Sequence, residues 1–370
     1  MGSRHTYYHV LYVGMINIMM FVPYFLIKER FHGAVMGMLI ALAIGSVLSL
    51  TSMACYEHFP GLGFPELCDM YFPRWLTITI NMYGALLTWL PAGAIVIYSY
   101  SETVRMFFYP EMNPFINLLL MAGAAVWASS RSTRTVQYVH EIMIIIFSPL
   151  LIMFLMKAIF NPGMDWHAIR YVSGYISRPP SFITIAAGSF LFSGFMSLIV
   201  FNRFHQQGFR FRFRWIVPLF ATFFLAVTFF VPIGFHGTEA VEDYVYLWSM
   251  TADSMVMEYG FINRVLFVFL LIFTGVSLLF IMNTWHIAIL LIRHSMNRFS
   301  SVEEAPASPI NLWFALAAAA LSFLYMRFIN VERNQMVSEV WLITRFFNEI
   351  VFVLIMLYFV WKKRKEGSTQ

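Results

Sequence analysis

The sequence predicts an all-α integral membrane protein of about ten transmembrane helices, in two inverted sets of five with the first and sixth helices broken. Three observations carry that reading. Of the 370 residues, 60% are hydrophobic and only 12% charged, against about 25% charged in a soluble domain. Apolar runs of about 20 residues, the length that spans a bilayer, recur along the whole chain. Two of them are interrupted by glycine at matching places, Val13-Gly14-Met15-Ile16-Asn17 in the first and Phe192-Ser193-Gly194-Phe195-Met196 in the sixth. Loosened backbone at membrane depth is tolerated only where it lines a cavity or is buried in protein. Paired interruptions in corresponding halves point to a transporter-type site. The plainer alternative is that both glycines allow close helix packing.

The spans fall near 7–27, 33–54, 75–100, 114–130, 139–160, 181–202, 214–233, 261–292, 309–329 and 340–361. Helices 1–5 thus occupy about 7–160 and helices 6–10 about 181–361, with 362–370 as a tail of one polytopic domain. In the first span, unwinding near Gly14 frees carbonyls and amides, and Asn17 adds a side-chain amide at that level. Gly33-Ala34-Val35-Met36-Gly37 opens the second as a small-residue packing seam. The third runs long, towards 107, which suggests tilt. It carries Tyr83, Gly84 and Thr88 at mid-depth, with Glu102 and Arg105 spaced to pair on one face. In the fifth, Lys157 lies near the outer end, where snorkelling explains it. Unwinding at Ser193-Gly194 in the sixth exposes amides at a helix start, which suits a carboxylate, with Phe192 and Phe195 as walls or gates. The eighth runs long from about 258 and holds Asn283 and His286 in its inner part; an intramembrane His is a functional candidate.

Orientation follows from Lys and Arg. Arg203, the stretch Arg210-Phe211-Arg212-Phe213-Arg214 and the tail Lys362-Lys363-Arg364-Lys365 lie on one side, so both termini are expected in the cytoplasm. The loop from Gly234 to Glu258, with its acidic residues, is then external. The Arg/Phe alternation reads as an anchor to anionic lipid rather than to nucleic acid. Cys55 and Cys68, both on the cytoplasmic side, make no disulfide framework or zinc motif. The first run is long enough to span and lacks a cleavage site, so no cleavable signal peptide is expected.

Enzymatic signals are weak. His140-Glu141 starts a helix, but Ile144 stands where a zincin needs its second His. No phosphate-binding glycine loop or nucleophile elbow appears. No catalytic residue, metal or cofactor is expected. The candidate ligand-binding set is Gly14, Met15, Ile16, Asn17, Tyr83, Thr88, Phe192, Ser193, Gly194 and Phe195.

Several segments resemble a known family. Phe64-Pro65-Glu66-Leu67-Cys68-Asp69-Met70-Tyr71-Phe72-Pro73 is similar to a loop of the B subunits of endospore germinant receptors. So are Ser101-Glu102-Thr103-Val104-Arg105 with Tyr109-Pro110 and Asn113-Pro114, and the stretch from Trp248-Ser249-Met250 through Glu258-Tyr259-Gly260-Phe261-Ile262-Asn263-Arg264. The resemblance extends over roughly 7–362. It implies membership of the amino acid–polyamine–organocation transporter superfamily and a LeuT-like fold. It also implies a spore inner-membrane subunit that binds a small nutrient germinant, beside an A subunit and a lipoprotein C subunit. Phe190-Leu191-Phe192-Ser193-Gly194-Phe195 is similar to the superfamily's sixth-helix pattern. Three positions depart from it: Met196 replaces a frequent acid, the first helix has one glycine, and no Arg precedes Glu141. These departures bear on ion coupling and on transport itself rather than on ligand binding. The leading expectation is therefore a germinant-sensing subunit for an amino-acid-like nutrient. Its rivals are a proton- or sodium-coupled amino-acid transporter and a structural subunit with a vestigial pocket.

Overall fold

The computed structural model describes residues 4–108, 110–255, 264–296 and 308–367. Their regular elements are helices. Helices α1 (Arg4–Met19) and α2 (Val22–Lys28) form the first span, bent by 56°. The cause is Pro23, in the first turn of α2. It has no N–H to donate, and its ring excludes the carbonyl four residues back. The break therefore falls at Met20-Phe21, whereas Gly14 lies inside continuous α1. The expected unwinding at Gly14 is corrected on that ground.

The second span is α3 (Ala34–Tyr56), followed by the short α4 (Phe64–Tyr71). Helix α5 (Arg74–Phe107) has 34 residues, the long third span that the sequence suggests. Within it, Gly84–Trp89 widens into a π-helical turn. Pro91 follows at once and cannot donate to the Leu87 carbonyl, so the ladder loosens ahead of it. Helix α6 (Pro114–Ser129) is apolar but only 16 residues long. Helix α7 (Thr133–Ile159) starts on a Ser132 hydroxyl cap, and α8 (Trp166–Ser173) on the Asp165 carboxylate.

The second half comprises α9 (Phe182–Phe204), α10 (Ile216–His236) and α11 (Leu247–Asp253). It continues through α12 (Val265–Ser295), α13 (Pro309–Phe328) and α14 (Val331–Gly367). The last starts well before the expected 340. The proposed beginning of the eighth span near 258–261 lies outside the described residues. Among those residues, eight helices are long and apolar enough to cross a membrane, nine if the bent α1–α2 pair is one span. The chain is an integral membrane protein.

Burial sorts the helices. Over its apolar stretch α9 is 83% buried inside the molecule, against 33% for α7 and for α13. Helix α9 is thus the central rod, packed on α1 and α3, while α7 and α13 turn much of their surface to lipid. Arg214 Nη2 donates to Glu57 Oε2 at 2.6 Å, and Lys363 donates to the His58 carbonyl at 2.5 Å. Tyr7 donates its hydroxyl to the Arg212 carbonyl. These contacts gather the start of α1 and the end of α14 at one face, hereafter the terminal face. At the opposite face Arg30 pairs with Glu242 at 2.7 Å.

A candidate solute site at the centre of the bundle

In α9 the α-helix gives way to 3₁₀ geometry over Phe190–Ser197. The unwinding expected at Ser193-Gly194 is not seen: the chain stays helical there and tightens from α to 3₁₀ geometry. Its carbonyls are held by side chains: Ser189 Oγ donates to the Ala186 carbonyl at 2.8 Å and Ser197 Oγ to that of Gly194 at 2.7 Å. Such local bonds offer the backbone an alternative to the α-ladder.

Against this segment lies Arg345 of α14, only 3% exposed. Its Nη2 donates to the Ala186 carbonyl at 2.6 Å and to Ser189 Oγ at 2.8 Å. Its Nη1 donates to Ser193 Oγ at 2.6 Å and to Glu349 Oε1 at 2.8 Å. Glu349, one turn further along α14, is 1% exposed. This buried ion pair stitches α14 to the 3₁₀ segment. Intramembrane charges of this kind face bundle interiors and mark ligand or ion sites.

The pair borders a cavity of about 30 Å³ together with Tyr12, Thr88, Trp89, Ser193 and Thr284. Helices α1, α5, α9, α12 and α14 therefore all contribute to it. Towards the opposite face it is closed by an aromatic triad: Trp341 meets Phe21 and Phe190 edge-on at 5.9 and 5.8 Å, and Phe21 lies 6.3 Å from Phe190. Trp341 is fixed by its indole N–H, which donates to the Thr88 carbonyl in the π turn at 2.9 Å. Towards the terminal face a larger cavity of about 240 Å³ adjoins it through Thr88, Trp89 and Met196. In its wall Tyr83 donates to Asn348 Oδ1 at 3.0 Å, and Asn348 Nδ2 donates to Thr88 Oγ1 at 2.8 Å. The site is shut above and roomy below.

Of the candidate residues, Thr88 and Ser193 line the central cavity, and Tyr83 and Thr88 line the larger one. The others lie elsewhere. A Cβ at Gly14 would sit 2.7 Å from the Phe224 ring, so that glycine serves the α1–α10 contact. Met15 and Ile16 are core residues, 0% and 1% exposed. Asn17 Nδ2 donates to Thr228 Oγ1 on α10 at 3.0 Å. Phe192 fills the space left by Gly45 of α3, whose Cβ would fall 2.2 Å from its ring. Phe195 packs towards Phe352, and Gly194 abuts the α1 backbone. Sequence reasoning passed over Arg345, Glu349 and Trp341. The signal was present as two opposite charges four residues apart within the tenth apolar run. Among the described residues no cluster of three His, Cys, Asp or Glu is placed to hold a metal.

Gly14→Ala is expected to shift stability by about 0–2 kcal/mol, because crowding of the Phe224 ring costs roughly 1–3 kcal/mol and the helix gains about 1 kcal/mol. Thermal unfolding in detergent checks this. A folded Gly14→Ala protein that loses solute binding would return the site to Gly14.

No family model matches the chain, and no curated protein matches it. A solved structure of a Na+-coupled sialic acid symporter, in a substrate-bound outward-open state, does. It superposes with a TM-score of 0.55 at 10% identity, over 94% of this chain and 76% of the symporter. The fold is LeuT-like. At that identity the match speaks for architecture alone, and architecture places the crossing of helices 1 and 6 at the centre, where the Arg345–Glu349 pair lies.

Proposed function

We propose that this protein is a secondary transporter, binding a small amino-acid-like solute where the central cavity adjoins the larger one beside the Arg345–Glu349 pair, and passing it towards the terminal face. The observation that carries this is the Arg345–Glu349 pair buried on the cavity wall. A zwitterion fits a paired cation and anion without leaving either charge unmatched: its carboxylate takes the guanidinium and its ammonium takes the Glu349 carboxylate. A simple anion or cation leaves one buried charge unmatched, which is costly. The neighbouring symporter's named solute is also an acid. In this reading the terminal face, with Arg203, Arg214 and Lys363, is cytoplasmic by the positive-inside rule.

A second reading is favoured by the residues of 64–73 and 101–114, which resemble germinant-receptor B subunits. Here the same pocket senses a nutrient, and the signal passes to A and C subunits. A ligand shifts such an equilibrium only by its differential affinity for the two states.

Proteoliposomes offered a mixture of the twenty radiolabelled amino acids separate the readings. Transport predicts saturable uptake that Arg345→Met removes. Saturable binding without uptake transfers the case to sensing, tested next by dipicolinate release from spores carrying the variant. Neither binding nor uptake sinks both.

A further inference from the structure

A row of histidines leads from the terminal face to the central cavity. His5 and His9 stand one turn apart on α1, 7% and 1% exposed. His5 Nδ1 lies 3.3 Å from Glu141 Oε2 on α7. The His9 ring lies against that of His140 of α7, their centroids 4.0 Å apart, with Phe201 of α9 on its other side at 4.6 Å. Tyr12, which borders the central cavity, meets the His140 ring edge-on at 4.8 Å. A cavity of about 10 Å³, the space of roughly one water, is lined by His5, His9, Gln137, Ser197 and His205.

The hydrogen bonds assign the open positions. His9 Nε2 donates to Gln137 Oε1 at 3.0 Å, leaving the Nδ1 lone pair bare. Asn283 Nδ2 donates to His140 Nδ1 at 2.7 Å, so the His140 proton sits on Nε2. The His140 Nε2–H faces the Tyr8 carbonyl of α1, whereas among the described residues His9 Nδ1, Gln137 Nε2 and Asn283 Oδ1 have no hydrogen-bond partner. Buried polar groups are normally satisfied, and His286 shows what a structural histidine looks like here. Its Nδ1 lies 2.8 Å from the Ser129 carbonyl and its Nε2 3.1 Å from Thr133 Oγ1. His9 is the exception, with its Nδ1 open and the His140 ring lying against its own.

We propose that His9 and His140 form a proton-binding pair through which protons reach the central site from the terminal face, so that solute movement is coupled to protons. The proposal rests on the transport reading above. A proton arriving through the small cavity from the His5–Glu141 end binds the bare His9 Nδ1. His140 accepts a proton at Nδ1 when the Asn283 amide turns to present its unpartnered Oδ1. Binding breaks an O–H bond of the water or carboxyl that delivers the proton and makes one N–H bond on His9, and release towards the central site reverses this. Two imidazoles this close hold one added proton between them, because like charges disfavour a second. The groups facing the pair are His5 and Tyr12 on α1, Gln137 and Glu141 on α7, His205 past α9 and Asn283 on α12. Glu141, the only acid among them, lies 3.3 Å from His5 at the outer end of the row.

The test is a nuclear magnetic resonance titration of the whole protein, ¹⁵N-labelled at histidine in nanodiscs, from pH 8.5 to 4.5. One proton is expected to be shared by His9 and His140 in a single step that His140→Gln removes, with the His286 signals unchanged. Both rings neutral throughout, or two protons bound independently, overturns the pair, and the wild-type titration alone decides this if the variant fails to fold. Coupling is read from a pH dye inside proteoliposomes given the amino-acid mixture. Expected is a solute-dependent change in lumen pH at least threefold above the rate without solute. Uptake of the labelled mixture with no change in lumen pH overturns coupling and leaves transport standing. Absence of all uptake overturns the transport reading and its proton coupling together, while the titration still decides the proton site.

Discussion

Arg345→Met is expected to abolish solute binding and to destabilise the folded bundle by about 3–5 kcal/mol, the cost of removing one partner of a buried ion pair. The guanidinium makes its four described hydrogen bonds to the Ala186 carbonyl, Ser189, Ser193 and Glu349. Removing it leaves a carboxylate that is 1% exposed beside an apolar side chain. The double variant Arg345→Met/Glu349→Gln removes the unmatched charge and is expected to recover most of the stability, but none of the binding. Thermal unfolding and binding of the labelled amino-acid mixture are measured on both variants. If the single variant binds solute as the parent does, the pair is structural and the site lies elsewhere. If the double variant stays as unstable as the single one, the hydrogen bonds to α9 outweigh the charge pairing.

Gly194→Ala is expected to prevent accumulation of folded protein. A Cβ there would fall 2.6 Å from the His9 carbonyl oxygen and 2.6 Å from the Val10 Cα. Both atoms are backbone of α1, so no rotamer change relieves the contact. The two central helices must move apart along the seam that also positions Tyr12 and Ser193. Overpacking costs about 1–3 kcal/mol where side chains can give, and here they cannot. Gly14→Ala is the control, since the nearest atoms it meets belong to the Phe224 ring. The yield of monodisperse protein after size exclusion separates the two. Equal yields would mean that the α1–α9 crossing is looser than the structure has it.

These contrasts show which parts of the molecule were legible in the residues. Gly194 and Gly14 look alike in sequence, each a single glycine in an apolar run, yet one faces backbone and the other a ring. The break in the first span was written in Pro23 rather than in Gly14, and the π turn in Pro91. Both follow from the missing N–H, a local rule available from the chain alone. Thr88 and Ser193 both border the central cavity, at the level that helical rise gives them within their spans. Which way Phe192 and Phe195 point was not readable, because both faces of a central helix are apolar.

By itself, then, the sequence determined the class: a membrane-embedded helical bundle, the run of most of its spans, its basic face and the place where the sixth span departs from regular α-geometry. Each follows from hydrocarbon thickness, backbone satisfaction and charge transfer, which act on segments independently of their partners. Tertiary structure decided the site. Arg345 and Ser193 are 152 residues apart, and His9 and Gln137 are 128 apart. Only the packing of α14 on α9 and of α1 on α7 brings them together. In the low-dielectric interior that packing decides whether a charge is matched or an imidazole nitrogen left open, and the chemistry follows from it.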